Sequence, residues 1–271
     1  MINATRPDPT GTDAYAPAQM ADRVEKAGVT KTELPALSVF ALSMLAGAFI
    51  AFGAMFYTLA MTGSGLGFGP SRVLGGLAFS LGLILVIVGG AELFTGNSLI
   101  VMAWASKRIS SSALLRNWGL VYLGNLAGAL EMVALSYLAG TLSLGGGAVG
   151  ETARMIATAK LALPADQAFF RALLCNVLVC LAVWLCYAAR DVAGKILAIL
   201  WPITAFVALG FEHSVANMYL IPIGMLAGAG FDLAGFAHNL LWVSLGNIAG
   251  GAGFVALVYW IIYLRGAAQG R

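Results

Sequence analysis

Apolar residues fill long runs from residue 37 onward, and polar residues collect between the runs and in the first 34 positions. The runs 37–61, 73–104, 113–140, 167–189, 196–230 and 236–264 are each long enough, as helix, to cross roughly 30 Å of hydrocarbon. The pattern therefore predicts an all-α membrane protein with six transmembrane helices. Residues 1–34 carry Pro7, Pro9, Pro17 and a mixed-charge stretch from Asp22 to Lys31, without the basic-then-apolar order of a signal peptide. They predict a tail with a short amphipathic helix lying along the membrane surface or a neighbouring subunit. The channel-like body would span 35–264, and 265–271 would form a second short tail.

Two runs, 73–104 and 196–230, are longer than one straight helix needs, and both have polar residues at the centre. The first contains Gly90-Ala91-Glu92-Leu93-Phe94-Thr95-Gly96-Asn97 and the second Gly210-Phe211-Glu212-His213-Ser214-Val215-Ala216-Asn217, each reading Gly-x-Glu-x4-Asn. The helix after each repeats too, with Asn117 before Leu123-Gly124-Asn125-Leu126-Ala127-Gly128 and Asn239 before Leu245-Gly246-Asn247-Ile248-Ala249-Gly250. Offsets of 120 (212 − 92) and 122 (246 − 124) mark a duplicated unit, with halves at 37–140 and 167–264. Three spans per unit force the copies into opposite orientations. The expectation is an inverted 3+3 repeat whose two interrupted helices meet near the midplane.

Composition narrows the function classes. The 271 residues are 60% apolar and only 10% charged, against about 25% charged in soluble domains, and the mean hydropathy is +0.89. A net charge of +3 gives no basic surface for nucleic acid. Cys175, Cys180 and Cys186 have no zinc or Cys-x-x-Cys spacing and are expected as reduced packing residues. With no metal-ligand cluster, nucleophile–base pair or phosphate loop, the sequence predicts neither an enzyme nor a cofactor. Lys and Arg in alternate loops sum to 11 on the side of the N-terminus and four on the other, which predicts both termini in the cytoplasm of a plasma-membrane protein.

Backbone left non-helical at membrane depth must find partners. Glu92 and Glu212 are expected to accept hydrogen bonds from the freed amides of their own breaks, with Asn97 and Asn217 doing similar capping work. His213 differs, because its counterpart in the other copy is Leu93. A titratable group at bilayer depth is a functional candidate. His238 reads as an interfacial residue.

Phe79-Ser80-Leu81-Gly82-Leu83, Glu92-Leu93-Phe94-Thr95, the Gly-Asn-Leu-Ala-Gly-Ala run 124–129, Val179 to Trp184 and Phe211 to Met218 resemble the formate/nitrite transporter family, in order from residue 40 to 264. The closest branch by this resemblance is the formate channels. The resemblance implies an aquaporin-like protomer, a homopentamer in the lipid bilayer and a separate pore through each protomer. It places Thr95 on a mobile loop facing His213 with Asn176 nearby. Leu93, beside Phe94 on that loop, would form the cytoplasmic constriction with Phe79 and Phe206. Leu83 and Val179 would line apolar stretches, and Lys160 would attract anions at the outer vestibule. The function it implies is passage of formate or a similar small monovalent anion, as the neutral acid after protonation by the central His213. Nitrite or hydrosulfide is the alternative within the family. Two features depart from the formate branch: Glu131 inside the third span, and a short connection near 229–236.

Overall fold

The computed structural model describes residues 11–268. Positions 1–10, including Arg6, Pro7 and Pro9 of the expected tail, and 269–271, including Arg271, lie outside the described residues. Among the described residues the regular structure is all helix. In chain order the main helices are α1 (Pro17–Glu33), α2 (Ala36–Met61), α3 (Phe68–Gly89), α4 (Gly96–Ala105), α5 (Ser111–Leu138), α6 (Ala148–Leu161), α7 (Ala165–Ala188), α8 (Val192–Ala208), α9 (Ser214–Ala229) and α10 (Leu233–Tyr263), with short helical turns at Thr141–Gly147 and Arg265–Ala268. Five of them, α2, α3, α5, α7 and α10, are long and apolar enough to cross a membrane, while α4, α8 and α9 are shorter apolar helices.

The two over-long runs are each two helices. The run 73–104 becomes α3 and α4 around a break from Gly90 to Thr95, and 196–230 becomes α8 and α9 around a break from Leu209 to His213. Gly90 (φ 81°) and Gly210 (φ 74°) sit in the left-handed region that a side chain penalises, and each ends its helix there. The starts are set by side chains: Ser110, Asp191 and Asp232 accept from the amides of Ala113, Gly194 and Gly235 to cap α5, α8 and α10. In α1, Pro17 supplies the first helical position and Gln19 accepts from the Ala16 amide.

Packing repeats in the two halves. Helix α2 packs on α3 and α5, as α7 packs on α8 and α10; α3 meets α8 between the halves. The short half-helices cross over, α9 lying against α5 and α4 against the Ala249–Leu257 part of α10. Close approach comes from small residues: a Cβ on Gly128 would overlap the Met44 carbonyl, and one on Gly250 the Leu173 carbonyl.

Helix α1 forms within the expected tail. It docks on its own protomer, burying Met20, Ala21, Val24 and Gly28 against α4 and neighbouring helices. Gly28 makes the docking possible, since an added Cβ would lie 3.1 Å from that of Ala103. Before α1, Tyr15 is sandwiched between the guanidinium groups of Arg23 and Arg190, each 4.0 Å from the ring centre.

Candidate functional site

Two polar networks of the same residue types flank the breaks, differing in where the lysine's second hydrogen bond goes. In the first, Lys31 Nζ donates to Glu92 Oε1 (2.6 Å) and Asn97 Oδ1 (3.0 Å). Asn97 Nδ2 donates to Glu92 Oε2 (2.7 Å) and Asn117 Oδ1 (3.0 Å), and Asn117 Nδ2 returns to the Lys31 carbonyl (3.2 Å). In the second, Lys160 Nζ donates to both Glu212 oxygens (2.9 Å each). Asn217 Nδ2 donates to Glu212 Oε2 (2.7 Å) and Asn239 Oδ1 (2.8 Å), and Asn239 Nδ2 to the Lys160 carbonyl (3.0 Å).

The break amides find partners other than the carboxylates expected to take them. Phe94 N donates to Asn125 Oδ1 and Ser214 N to Asn247 Oδ1, both at 2.9 Å. Asn125 Nδ2 also holds the Ser43 and Glu92 carbonyls, and Asn247 Nδ2 those of Ala172 and Glu212. The Glu92 and Glu212 amides reach the carbonyls of Leu42 and Arg171. Glu92 and Glu212 instead compensate the two lysines. The reason is geometric: a turn of freed backbone is matched by a side chain carrying both donor and acceptor, which Asn has and a carboxylate lacks.

Between the networks the repeat is broken by chemistry. His213 and Thr95 are buried and joined Nε2 to Oγ1 at 2.9 Å. His213 Nδ1 accepts from the Ala216 amide at 3.1 Å, capping α9. An amide N–H aimed at Nδ1 fixes the neutral tautomer, so Nε2 carries the hydrogen and donates to the threonine. Asn176 Nδ2 contacts the Thr95 carbonyl (3.2 Å), Ser98 Oγ (3.2 Å) and the Asn247 carbonyl (2.6 Å), while its buried Oδ1 has no partner. That hold on the Asn247 carbonyl falls where α10 widens into a π-helical stretch at Ala249–Leu257.

A cavity lies on each side of this centre. One, of about 290 Å³, is lined by Lys31, Glu92, Leu83, Leu93, Arg23 and Lys195 among others. The other, of about 430 Å³, is lined by Lys160, Glu212, Phe79, Phe206, Arg72 and Arg171 among others. The residues of the expected constriction, Leu93 with Phe79 and Phe206, divide between the two cavities. The phenylalanines, edge to face at 5.6 Å, belong to the Lys160 cavity, and Leu93 belongs to the Lys31 cavity with Leu83. One helical turn separates positions 79 and 83, so α3 presents one to each cavity. Phe206 also stacks on the His213 ring at 5.9 Å. Phe94 turns away from both cavities onto Trp118 and Tyr122 of α5. Val179 is buried on α7, one turn before Val183, which lines the Lys31 cavity.

Sequence reasoning missed Lys31, Asn125, Asn247 and Arg72. A signal for Lys31 was present: Lys31-Thr-Glu-Leu-Pro35 and Lys160-Leu-Ala-Leu-Pro164 share Lys-x-x-Leu-Pro just before α2 and α7. The duplicated unit thus starts at α1 and α6. Glu131 and His238 are exposed on the protomer, His238 with its ring against Trp242.

Buried polar networks around helix breaks, with cavities on both sides, define a membrane transport protein. The profile of the formate/nitrite transporter family matches residues 18–261, and the chain belongs to that family. It is 41% identical to the formate channel FocA of Escherichia coli K12, over 93% of this chain and 96% of that one. It is likewise 41% identical to a probable formate transporter of Methanothermobacter thermautotrophicus, over 94% and 99%. Among solved structures, a pentameric formate channel with formate bound superposes with a TM-score of 0.79 at 40% identity, covering 85% of this chain and 98% of that one. An ion channel of the same family gives 0.82 at 31%, covering 90% and 98%.

Proposed function

We propose that this protein is a formate channel, passing formate or a similar small monovalent anion through a pore in each protomer of a homopentamer. The reading takes the two halves as an inverted 3+3 repeat of six spans, the interrupted ones being α3 with α4 and α8 with α9. Both termini lie in the cytoplasm, so the Lys31 cavity is the inner vestibule and the Lys160 cavity the outer. The observation that carries it is the buried Thr95–His213 pair, two polar side chains with no counterpart in the repeat, set between two cavities edged with cations. The 41% identity to formate channels points the same way.

Moving a bare carboxylate through an apolar constriction costs tens of kcal/mol in the Born limit, whereas protonating an acid of pKa ~3.9 at pH 7 costs ~4 kcal/mol. The neutral acid is the cheaper passenger. His213 supplies the proton at the midpoint as imidazolium and recovers one afterwards. Forming imidazolium puts a hydrogen on Nδ1, which must release the Ala216 amide; the lost cap costs about 1 kcal/mol. Thr95 and Asn176, with its unpartnered Oδ1, replace hydration lost at the Leu83, Leu93, Phe79 and Phe206 walls.

Proteoliposome uptake of formate, nitrite and lactate at two external pH values tests the reading. Formate uptake is expected to rise as external pH falls, and His213→Ala is expected to flatten that rise. A wild-type protein that carries no formate would sink the channel reading; unchanged pH dependence in His213→Ala would sink the proton-donor role.

A further inference from the structure

Lys160, placed at the outer vestibule as its anion-attracting group, spends both of its contacts to Glu212 on one carboxylate. The cavity still carries Arg72 and Arg171, and Glu212 is the sole carboxylate that lines it. Arg171 is exposed and turned to Gln167. Arg72 is held in place. Its Nε donates to the Ala208 carbonyl (3.1 Å) and its Nη2 to the Val207 carbonyl (2.8 Å), which also accepts from the Gly210 amide, at the end of α8 before the break. Nη1 touches Tyr57 Oη at 3.4 Å.

The two carbonyls occupy the side-on face of the guanidinium, formed by Nε and Nη2. With Tyr57 Oη taking one N–H of Nη1, a fork of one N–H on each terminal nitrogen remains, held on a half-buried, pre-ordered group. Such a fork matches a planar anion with two oxygens and has no equivalent match to a one-atom anion. Arg72 stands two helical turns before Phe79 on α3, about 10 Å along the axis, so it meets an incoming anion before the phenylalanine pair does.

We propose that Arg72 is the docking and specificity residue of the outer vestibule, selecting two-oxygen planar anions of the carboxylate and nitrite kind over one-atom anions. This rests on the channel reading above and deepens it. The charge draws the anion in, the fork orients it, and the clamp on α8 keeps the fork from relaxing onto another partner.

The test is formate uptake by proteoliposomes holding the full-length wild type, Arg72→Lys or Arg72→Gln, with external nitrite or bromide as competitor. Wild type is expected to be inhibited at least 10-fold more strongly by nitrite than by bromide. Arg72→Lys keeps the charge and loses the fork, so half-saturation by formate is expected to rise about 5-fold and the nitrite preference to fall to within about 2-fold, with salt dependence retained. Arg72→Gln is expected to lose the salt dependence of uptake at low formate as well. A role confined to clamping α8 would lower the maximal rate at saturating formate in both variants and leave half-saturation and the competitor ratio as in wild type; that result overturns the proposal. Absence of formate uptake by the wild type would instead overturn the channel reading.

Discussion

Asn125 and Asn247 each hold three buried backbone groups, one amide and two carbonyls, so the breaks in the spans stand on two side-chain amides. Leucine has the same branched arrangement of side-chain heavy atoms, though it is bulkier, and offers no polar atom. Asn125→Leu would strand three groups, each costing ~1–3 kcal/mol when buried without a partner, for a loss of about 3 kcal/mol or more. Denaturant titration of the detergent-solubilised protein is expected to show that drop, and Asn247→Leu an equal one. A loss below about 1 kcal/mol would mean that water or relaxed backbone replaces the asparagines. The residues themselves were legible as members of the Gly-Asn-x-Ala-Gly repeat, but their task was not. Their partners lie 31 to 82 positions away along the chain, a separation that carries no local signature.

At the scale of elements, α1 and α6 are counterparts that differ in sequence except for Lys-x-x-Leu-Pro, which puts a lysine at the end of each helix and a proline before the long helix that follows. Hydropathy hid this, because both are short polar-faced helices and neither resembles a span. Each lysine compensates a carboxylate that is otherwise buried beside the break: Glu92 has 8% of its side chain exposed and Glu212 5%. Removing one partner of such a pair is more damaging than removing both, since a lone buried charge remains. Lys31→Met is therefore expected to destabilise by on the order of 3 kcal/mol, and Lys31→Met with Glu92→Gln to recover most of that loss. The same cycle at Lys160 and Glu212 should show the larger coupling, because Lys160 makes two contacts to its carboxylate and is the less exposed lysine, at 15% against 28%. Equal loss in single and double variants, read by denaturant midpoints, would assign α1 docking to its apolar contacts at Met20 and Val24 alone.

For the molecule as a whole, the apolar helices and the two breaks in the over-long runs could be read from the chain, whereas the division of the lining residues between two cavities could not. Apolar period says that Phe79 and Leu83 share a face of α3; only their contacts with α8 and the Gly90–Thr95 break assign them to different cavities. Glu131 bears on the same question from the other side. It lies on α5, is exposed on the protomer and lines neither cavity. In an apolar helix long enough to cross the membrane, an outward carboxylate meets lipid or another subunit, not the permeating anion. Glu92 and Glu212, by contrast, each line one of the cavities, paired with a lysine. Glu131→Leu is expected to leave the formate-to-nitrite uptake ratio and its pH dependence within about 2-fold of wild type, since its carboxylate is exposed and lines neither cavity, and salt screens exposed charges over ~8 Å at physiological strength. Proteoliposome uptake with both anions decides it. A change above about 5-fold in that ratio would place Glu131 in electrical contact with the pore and return the departure from the formate branch to the question of substrate choice.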